Sequence, residues 1–172
     1  MQARRQSAPE VFRLDITAPP QRPARAERRP RHDEHPARTV LVVEDETLSA
    51  MAMAETLEQS GFHVSGMAGS ETEALQLAAA APPAFAVVDI KLGHGGNGLN
   101  VGRVLTQRGV TVLYASAYGP GFRQEMEDSG GRACLQKPFA VADLPGALEA
   151  LEQLGRGQAP RAWPPGFHLF VD

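Results

Sequence analysis

From Thr39 onward, short apolar runs alternate with longer amphipathic stretches, and five repeats of that alternation fit before Gly155. Runs so little interrupted by polar residues suit strands buried on both faces of a parallel sheet, with helices as the crossovers. Strands are expected near 39–44, 62–67, 84–89, 111–115 and 133–136. The first helix is expected from about Leu48 to Gln59, stopped by Ser60-Gly61. The second starts at Ser70, whose spacing to Glu73 matches a capping box, and crosses an Ala-rich stretch to Pro82-Pro83. A third follows the loop Gly93-His94-Gly95-Gly96-Asn97-Gly98 and carries Leu99, Val101, Val104 and Leu105. Between Tyr118 and Gly131, the stretch Phe122 to Asp128 has room for two turns, so the fourth helix needs support from packing and is expected to be mobile. In the fifth, Leu144, Ala147, Leu148 and Leu151 recur at three- and four-residue intervals, which gives one face to bury against the sheet.

The flanks read differently. Residues 1–37 mix Arg, Pro, Ala and Gln, with too few apolar residues to offset backbone ordering, and are expected to be disordered. Such a coil has a root-mean-square reach of about 35 Å. The net charge of −3 divides unevenly: residues 1–39 hold nine Arg against five acids, or +4, and the remainder carries −7. Nothing interleaves aromatic stacking groups with those arginines, so nucleic-acid binding by this segment is not expected. Residues 156–172 are broken by Pro160, Pro164, Pro165 and Gly166 and are too few for a DNA-binding domain. Trp163, Phe167, Leu169, Phe170 and Val171 make them more apolar than a solvated linker, and local docking is the simplest use. No apolar stretch is long enough for a membrane span, the N-terminus lacks a secretory pattern, and the single Cys134 excludes an internal disulfide. A reducing, cytoplasmic setting is expected.

The chemistry gathers where the apolar runs stop. Glu44-Asp45 ends Val40-Leu41-Val42-Val43, and Asp89 ends Phe85-Ala86-Val87-Val88. Ser116 closes the run from Val110 to Ala115, and Lys137 follows Ala133-Cys134-Leu135-Gln136. In a doubly wound α/β sheet of order 2-1-3-4-5, ligands bind beyond the carboxyl ends of strands one and three. Three carboxylates about 5 Å apart repel by roughly 3 kcal/mol per pair at an effective dielectric near 20, so they take up protons or hold a cation. Magnesium, a hard ion that prefers oxygen ligands and bridges phosphoryl groups, suits them. With the Ser116 hydroxyl and the Lys137 ammonium added, the set describes a phosphoryl-accepting pocket in which Asp89 is the nucleophile.

Through Val40-Leu41-Val42-Val43-Glu44-Asp45-Glu46, Val87-Val88-Asp89, Ala115-Ser116-Ala117 and Lys137-Pro138-Phe139, residues 38–155 resemble the receiver domain of two-component response regulators. The resemblance implies a flavodoxin-like (βα)5 domain. It implies that Glu44 and Asp45 hold Mg2+, that Asp89 accepts phosphate from a sensor histidine kinase, and that Lys91 lends the metal a backbone carbonyl. Ser116 and Lys137 would contact the phosphoryl group, and Lys137-Pro138 would be cis. Receivers often carry an aromatic switch residue three positions before the lysine, where this chain has Cys134. Tyr114-Ala115-Ser116-Ala117-Tyr118 is similar instead to the aromatic-Ala-Thr-Gly-Tyr motif of a subgroup without that aromatic. Lys91 is an unusual residue two positions past the nucleophile. Its side chain, or that of Tyr118, is expected to tune how fast the acyl phosphate hydrolyses.

These readings make the chain a phosphorelay switch rather than an enzyme. It would act by binding an unknown downstream protein, relaying phosphate to a phosphotransfer protein, or draining a shared kinase. A phosphorylation-independent binding module is the alternative, suggested by Cys134 and Glu44. An aspartyl-phosphate phosphatase would need a second carboxylate two residues after the nucleophile, where Asp89-Ile90-Lys91 has lysine. His94 has no second His or Cys beside it in sequence, and the Gly93–Gly98 loop lacks the Gly-Lys-Ser/Thr ending of a nucleotide-binding loop. Cys134 reads as a buried small hydrophobe.

Overall fold

The computed structural model describes residues 38–117 and 122–170, apart from the side chain of His94; the 1–37 segment and Tyr118 lie outside the described residues. The elements in chain order are Thr39–Val43 (β1), Thr47–Gln59 (α1), His63–Ala68 (β2), Glu71–Ala80 (α2), Phe85–Val88 (β3), Lys91–Leu92 (β4), Gly96–Asn97 (β5), Gly98–Gln107 (α3), Thr111–Ser116 (β6), Arg123–Asp128 (α4), Ala133–Gln136 (β7), Leu144–Gly155 (α5) and Phe167–Leu169 (β8). The main sheet has the order β2-β1-β3-β6-β7-β8. Its first five strands are parallel and follow the expected 2-1-3-4-5 order, while β8 joins antiparallel to β7.

Side-chain alternation along each strand divides the core into two layers. Val40, Val42, Val87, Leu113 and Leu135 face α1 and α5, where Met53, Leu57, Leu144, Leu148 and Leu151 complete one cluster. Leu41, Val43, Ala86, Val88, Tyr114 and Cys134 face the other way, toward Ala74, Val101, Leu105 and Met126 of α2, α3 and α4. The second helix begins as its sequence indicates: Ser70 Oγ accepts the Glu73 N–H at 3.3 Å. The return bond differs from a strict capping box, because Glu73 Oε2 accepts from Gly69 N–H at 2.9 Å. At the end of α1, Gly61 takes φ +83°, the left-handed conformation that stops a helix at little cost in a residue without Cβ.

Three features go beyond the sequence reading. The glycine-rich loop is a small antiparallel hairpin in which Lys91 pairs with Asn97 and Leu92 with Gly96, around a 3-10 turn at Gly93–Gly95. The six-residue α4 takes its support from Met126 and from Ser129, whose hydroxyl donates to Met126 O at 2.7 Å and shares a short hydrogen bond with the Tyr114 hydroxyl. Tyr114 is fully enclosed, and α3 passes it only because Gly102 has no side chain: a Cβ there would fall 1.9 Å from Tyr114 Oη. The third feature is β8, too short and too close to Pro164-Pro165-Gly166 to be read as a strand from sequence. Trp163 packs against Phe167 of this strand with ring centroids 5.5 Å apart and planes tilted by 36°. Among the described residues, no helix is long and apolar enough to cross a membrane.

Candidate functional site

The strand order puts β1 and β3 side by side, with Val43 opposite Val88, and the Asp89 N–H donates to Val43 O at 2.9 Å. Glu44-Asp45 and Asp89 therefore leave the same end of the sheet from adjacent strands. Next to β3, β6 ends at Ser116; next to that, β7 leads into Lys137, whose N–H donates to Ser116 O at 2.9 Å. The Lys137-Pro138 peptide bond is cis. Four strand ends thus converge at one end of the sheet; the crossover from β1 to β2 through α1 and the one from β2 to β3 through α2 run on opposite faces, which opens a crevice between β1 and β3.

Lys137 is the hub. Its ammonium donates to Asp89 Oδ2 and to Glu44 Oε2, each at 2.7 Å. The remaining carboxylate oxygens are also engaged: Glu44 Oε1 accepts the Glu46 N–H at 3.3 Å, and Asp89 Oδ1 accepts the Lys91 N–H at 3.0 Å. Glu44 is only 5% exposed, so an unpaired charge there would be costly, and the ammonium offsets it. Burial by itself pulls the Lys137 pKa down, but the hydrogen bonds to Asp89 and Glu44 outweigh it and hold the ammonium above its ordinary range. Asp45 is exposed and lies against Gly93, where a Cβ would come within 2.9 Å of Asp45 Oδ2. Ser116 is buried at the end of β6, and Lys91 is exposed on β4.

Glu44, Asp89 and Lys137 are thus joined directly, with Asp45, Ser116 and Lys91 around them. Among the described residues, no three His, Cys, Asp or Glu side chains form a group set to hold a metal ion. Two of the three strand-end carboxylates turn instead toward the Lys137 ammonium, which offsets one of their two negative charges. The donor chemistry still fits magnesium. That ion binds through one or two carboxylates and keeps several waters, so it needs no closed cage of side chains, and all three carboxylates offer hard oxygens.

Two glycines belong to the site that sequence reading valued only for what their loop lacked. A Cβ at Gly98 would fall 1.9 Å from Asp89 O and 2.8 Å from Ile90 Cα, so the chain can pass Asp89 there only as glycine. Gly93 makes the corresponding room for Asp45. The available signal was the placement of glycines just after a strand-end aspartate. Cys134 is 2% exposed, and burial pushes its thiol up to about 11, which keeps it protonated at neutral pH.

The family model for the response regulator receiver domain matches residues 40–149. The transcriptional regulatory protein PdtaR of Mycobacterium tuberculosis is 31% identical over 113 residues, covering 65% of this chain and 55% of that protein. The phyllosphere-induced regulator PhyR of Methylorubrum extorquens is 35% identical over 110 residues, 63% of this chain and 41% of PhyR. The chain therefore spans about half the length of the curated relatives it matches. Among solved structures, a response regulator from Burkholderia pseudomallei, crystallised with a phosphorylated aspartic acid, a calcium ion and citrate, aligns with TM-score 0.61 at 27% identity. That alignment covers 70% of this chain and 71% of the other. A CheY-like receiver domain protein from Methanospirillum hungatei shares the fold with TM-score 0.63 at 20% identity, over 70% of this chain and 97% of its own.

Proposed function

This chain belongs to the response regulator receiver domain family, and from that premise we propose that it takes a phosphoryl group from a histidine kinase phosphohistidine onto Asp89 and signals by binding another protein. The observation that carries this reading is the Lys137 ammonium, 2.7 Å from a carboxylate oxygen of both Asp89 and Glu44. In the transfer, Asp89 Oδ2 forms a bond to phosphorus while the P–N bond to the donor imidazole breaks and the imidazole keeps the electron pair. As Oδ2 loses its charge, Lys137 turns to the new phosphoryl oxygens, a charge-assisted pairing. The Ser116 hydroxyl, on the neighbouring strand end, donates to another of them. Glu44 keeps its own contact with the ammonium as Lys137 shifts, because that contact does not depend on Asp89. Mg2+, held by Glu44, Asp45, Asp89 and the Lys91 carbonyl, would supply the remaining charge compensation when bound.

The role is signalling, and the chain does nothing to the phosphate beyond its own loading and hydrolysis. It works in the cytoplasm on kinase and partner proteins and makes no direct DNA contact. The calcium ion and phosphorylated aspartic acid of the Burkholderia pseudomallei protein support a cation and an acyl phosphate at such a site. The specific observation on the side of a phosphorylation-independent module is Cys134, a buried, protonated thiol where receivers often place a moving aromatic ring. Incubation of the full chain with a small phosphodonor and Mg2+, followed by intact mass, decides between them. One added phosphoryl group, lost in Asp89→Asn and strongly reduced in Lys137→Ala, is the expected result. No Asp89-dependent gain in mass would favour the binding module.

A further inference from the structure

Strand β8 reaches the candidate site within a single residue. Its partner β7 ends at Gln136, directly before Lys137, and Gln136 is tied to the C-terminal segment twice. The Gln136 N–H donates to Gly166 O at 2.9 Å, and Gln136 Oε1 lies 3.3 Å from His168 Nε2. Ala133, Cys134 and Leu135 pair with Leu169, His168 and Phe167, and the Phe170 N–H donates to Arg132 O at 2.9 Å.

Antiparallel register puts Cys134, His168, Arg132 and Phe170 on the same face of the sheet, with Phe170 diagonal to Cys134 and within reach of it for a ring. That face carries α4. Phe170 is 6% exposed in the cluster that holds Tyr114, Met126 and Cys134. From α4, Arg123 stands 5.5 Å over the Phe170 ring and donates from Nη2 to Leu169 O at 3.3 Å. The C-terminal segment therefore supplies an aromatic ring between α4 and β7, beside the position where β7 itself has only a cysteine.

We propose that β8 is a strap whose grip on β7 is set by phosphorylation of Asp89, with Phe170 as the aromatic positioning residue and Arg123 as its clasp; this rests on the phosphoacceptor reading above. Loading Asp89 draws the Lys137 ammonium from the Asp89 carboxylate toward the phosphoryl oxygens, and the move is passed to Gln136, which holds Gly166 and His168. Release of the strap uncovers the hydrogen-bonding edge of β7 and frees α4 by parting its Arg123 from Phe170 and Leu169. The backbone groups so exposed are the feature a partner strand would recognise.

Amide hydrogen exchange on the full chain tests this, with intact mass read on the same samples. With Mg2+ and a small phosphodonor, peptides covering 132–136 and 166–170 should exchange at least 10-fold faster while those of β1 stay unchanged. Asp89→Asn should show no response. Phe170→Ala and Arg123→Ala should loosen the same peptides without any phosphodonor. Phosphoryl mass gained with no change at the strap would overturn the inference and leave the phosphoacceptor reading standing. Failure to gain mass would overturn both.

Discussion

Replacing Gly102 with alanine places one methyl group in the most crowded spot of the fold. The new Cβ would stand 1.9 Å from Tyr114 Oη, 2.8 Å from Cζ and 3.3 Å from Cε1, all on a ring with no exposed surface. No rotamer of the alanine avoids this, so either α3 moves away from β6 or the ring swings off its hydrogen bond with Ser129. Overpacking of this kind costs about 1–3 kcal/mol, and loss of the buried hydrogen bond adds about 1 kcal/mol. Against that, alanine in place of glycine in a helix gains about 1 kcal/mol. The expected net loss is about 2 kcal/mol, read as a lower urea midpoint with unchanged slope. A second substitution isolates the cause. Tyr114→Phe removes Oη, the atom at 1.9 Å, and leaves Ser129 still bonded to Met126 O. In that background Gly102→Ala should cost about 1 kcal/mol less than in the parent chain, a coupling within the usual range for touching residues. A Gly102→Ala protein as stable as the parent, or a cycle with no coupling, would refute the packing argument.

Gly98→Ala should lower both stability, by about 2 kcal/mol or more, and the yield of Asp89-dependent phosphorylation, because its Cβ strikes the Asp89 carbonyl; an unchanged yield in a folded protein would separate Gly98 from the site. Cys134 should resist alkylation in the native chain at pH 8 and react freely in urea, since it is buried and its thiol is pushed to about 11. The unfolded thiol ionises first, so stability should hold below about pH 9 and fall as pH rises through about 11, by up to roughly 2–3 kcal/mol, and Cys134→Ala should flatten that limb in urea titrations. In acid the sign reverses. Hydrogen bonds from Arg38, 2.8 Å from Glu152 Oε2, hold Glu152 below its ordinary pKa, so this ion pair stabilises above about pH 4.5 and is lost as pH falls further. Glu152→Gln should remove about 0.5–1 kcal/mol at pH 7 and progressively less as pH falls below about 4.5, and a loss independent of pH would contradict the ion-pair account.

The parallel sheet was legible because its strands are buried on both faces: Val40 to Val43 and Phe85 to Val88 have no polar position for solvent, and such runs leave few other folds. The polar groups that interrupt them, from Glu44 to Lys137, were legible for the same reason, since a charge at the end of an apolar run marks where the strand leaves the core. What the chain order could not convey was which groups face each other. Convergence of Glu44 and Asp89 on one ammonium depends on β1 and β3 being neighbours while 45 residues separate those two acids, and that adjacency exists only in the folded sheet. Gly98 and Gly102 meet the same limit, because a glycine's value lies in what another segment brings against it. So does β8. Three residues behind a proline pair carry no periodicity, and only the open edge of β7, the Arg123 side chain and the space left beside Cys134 make a strand of them.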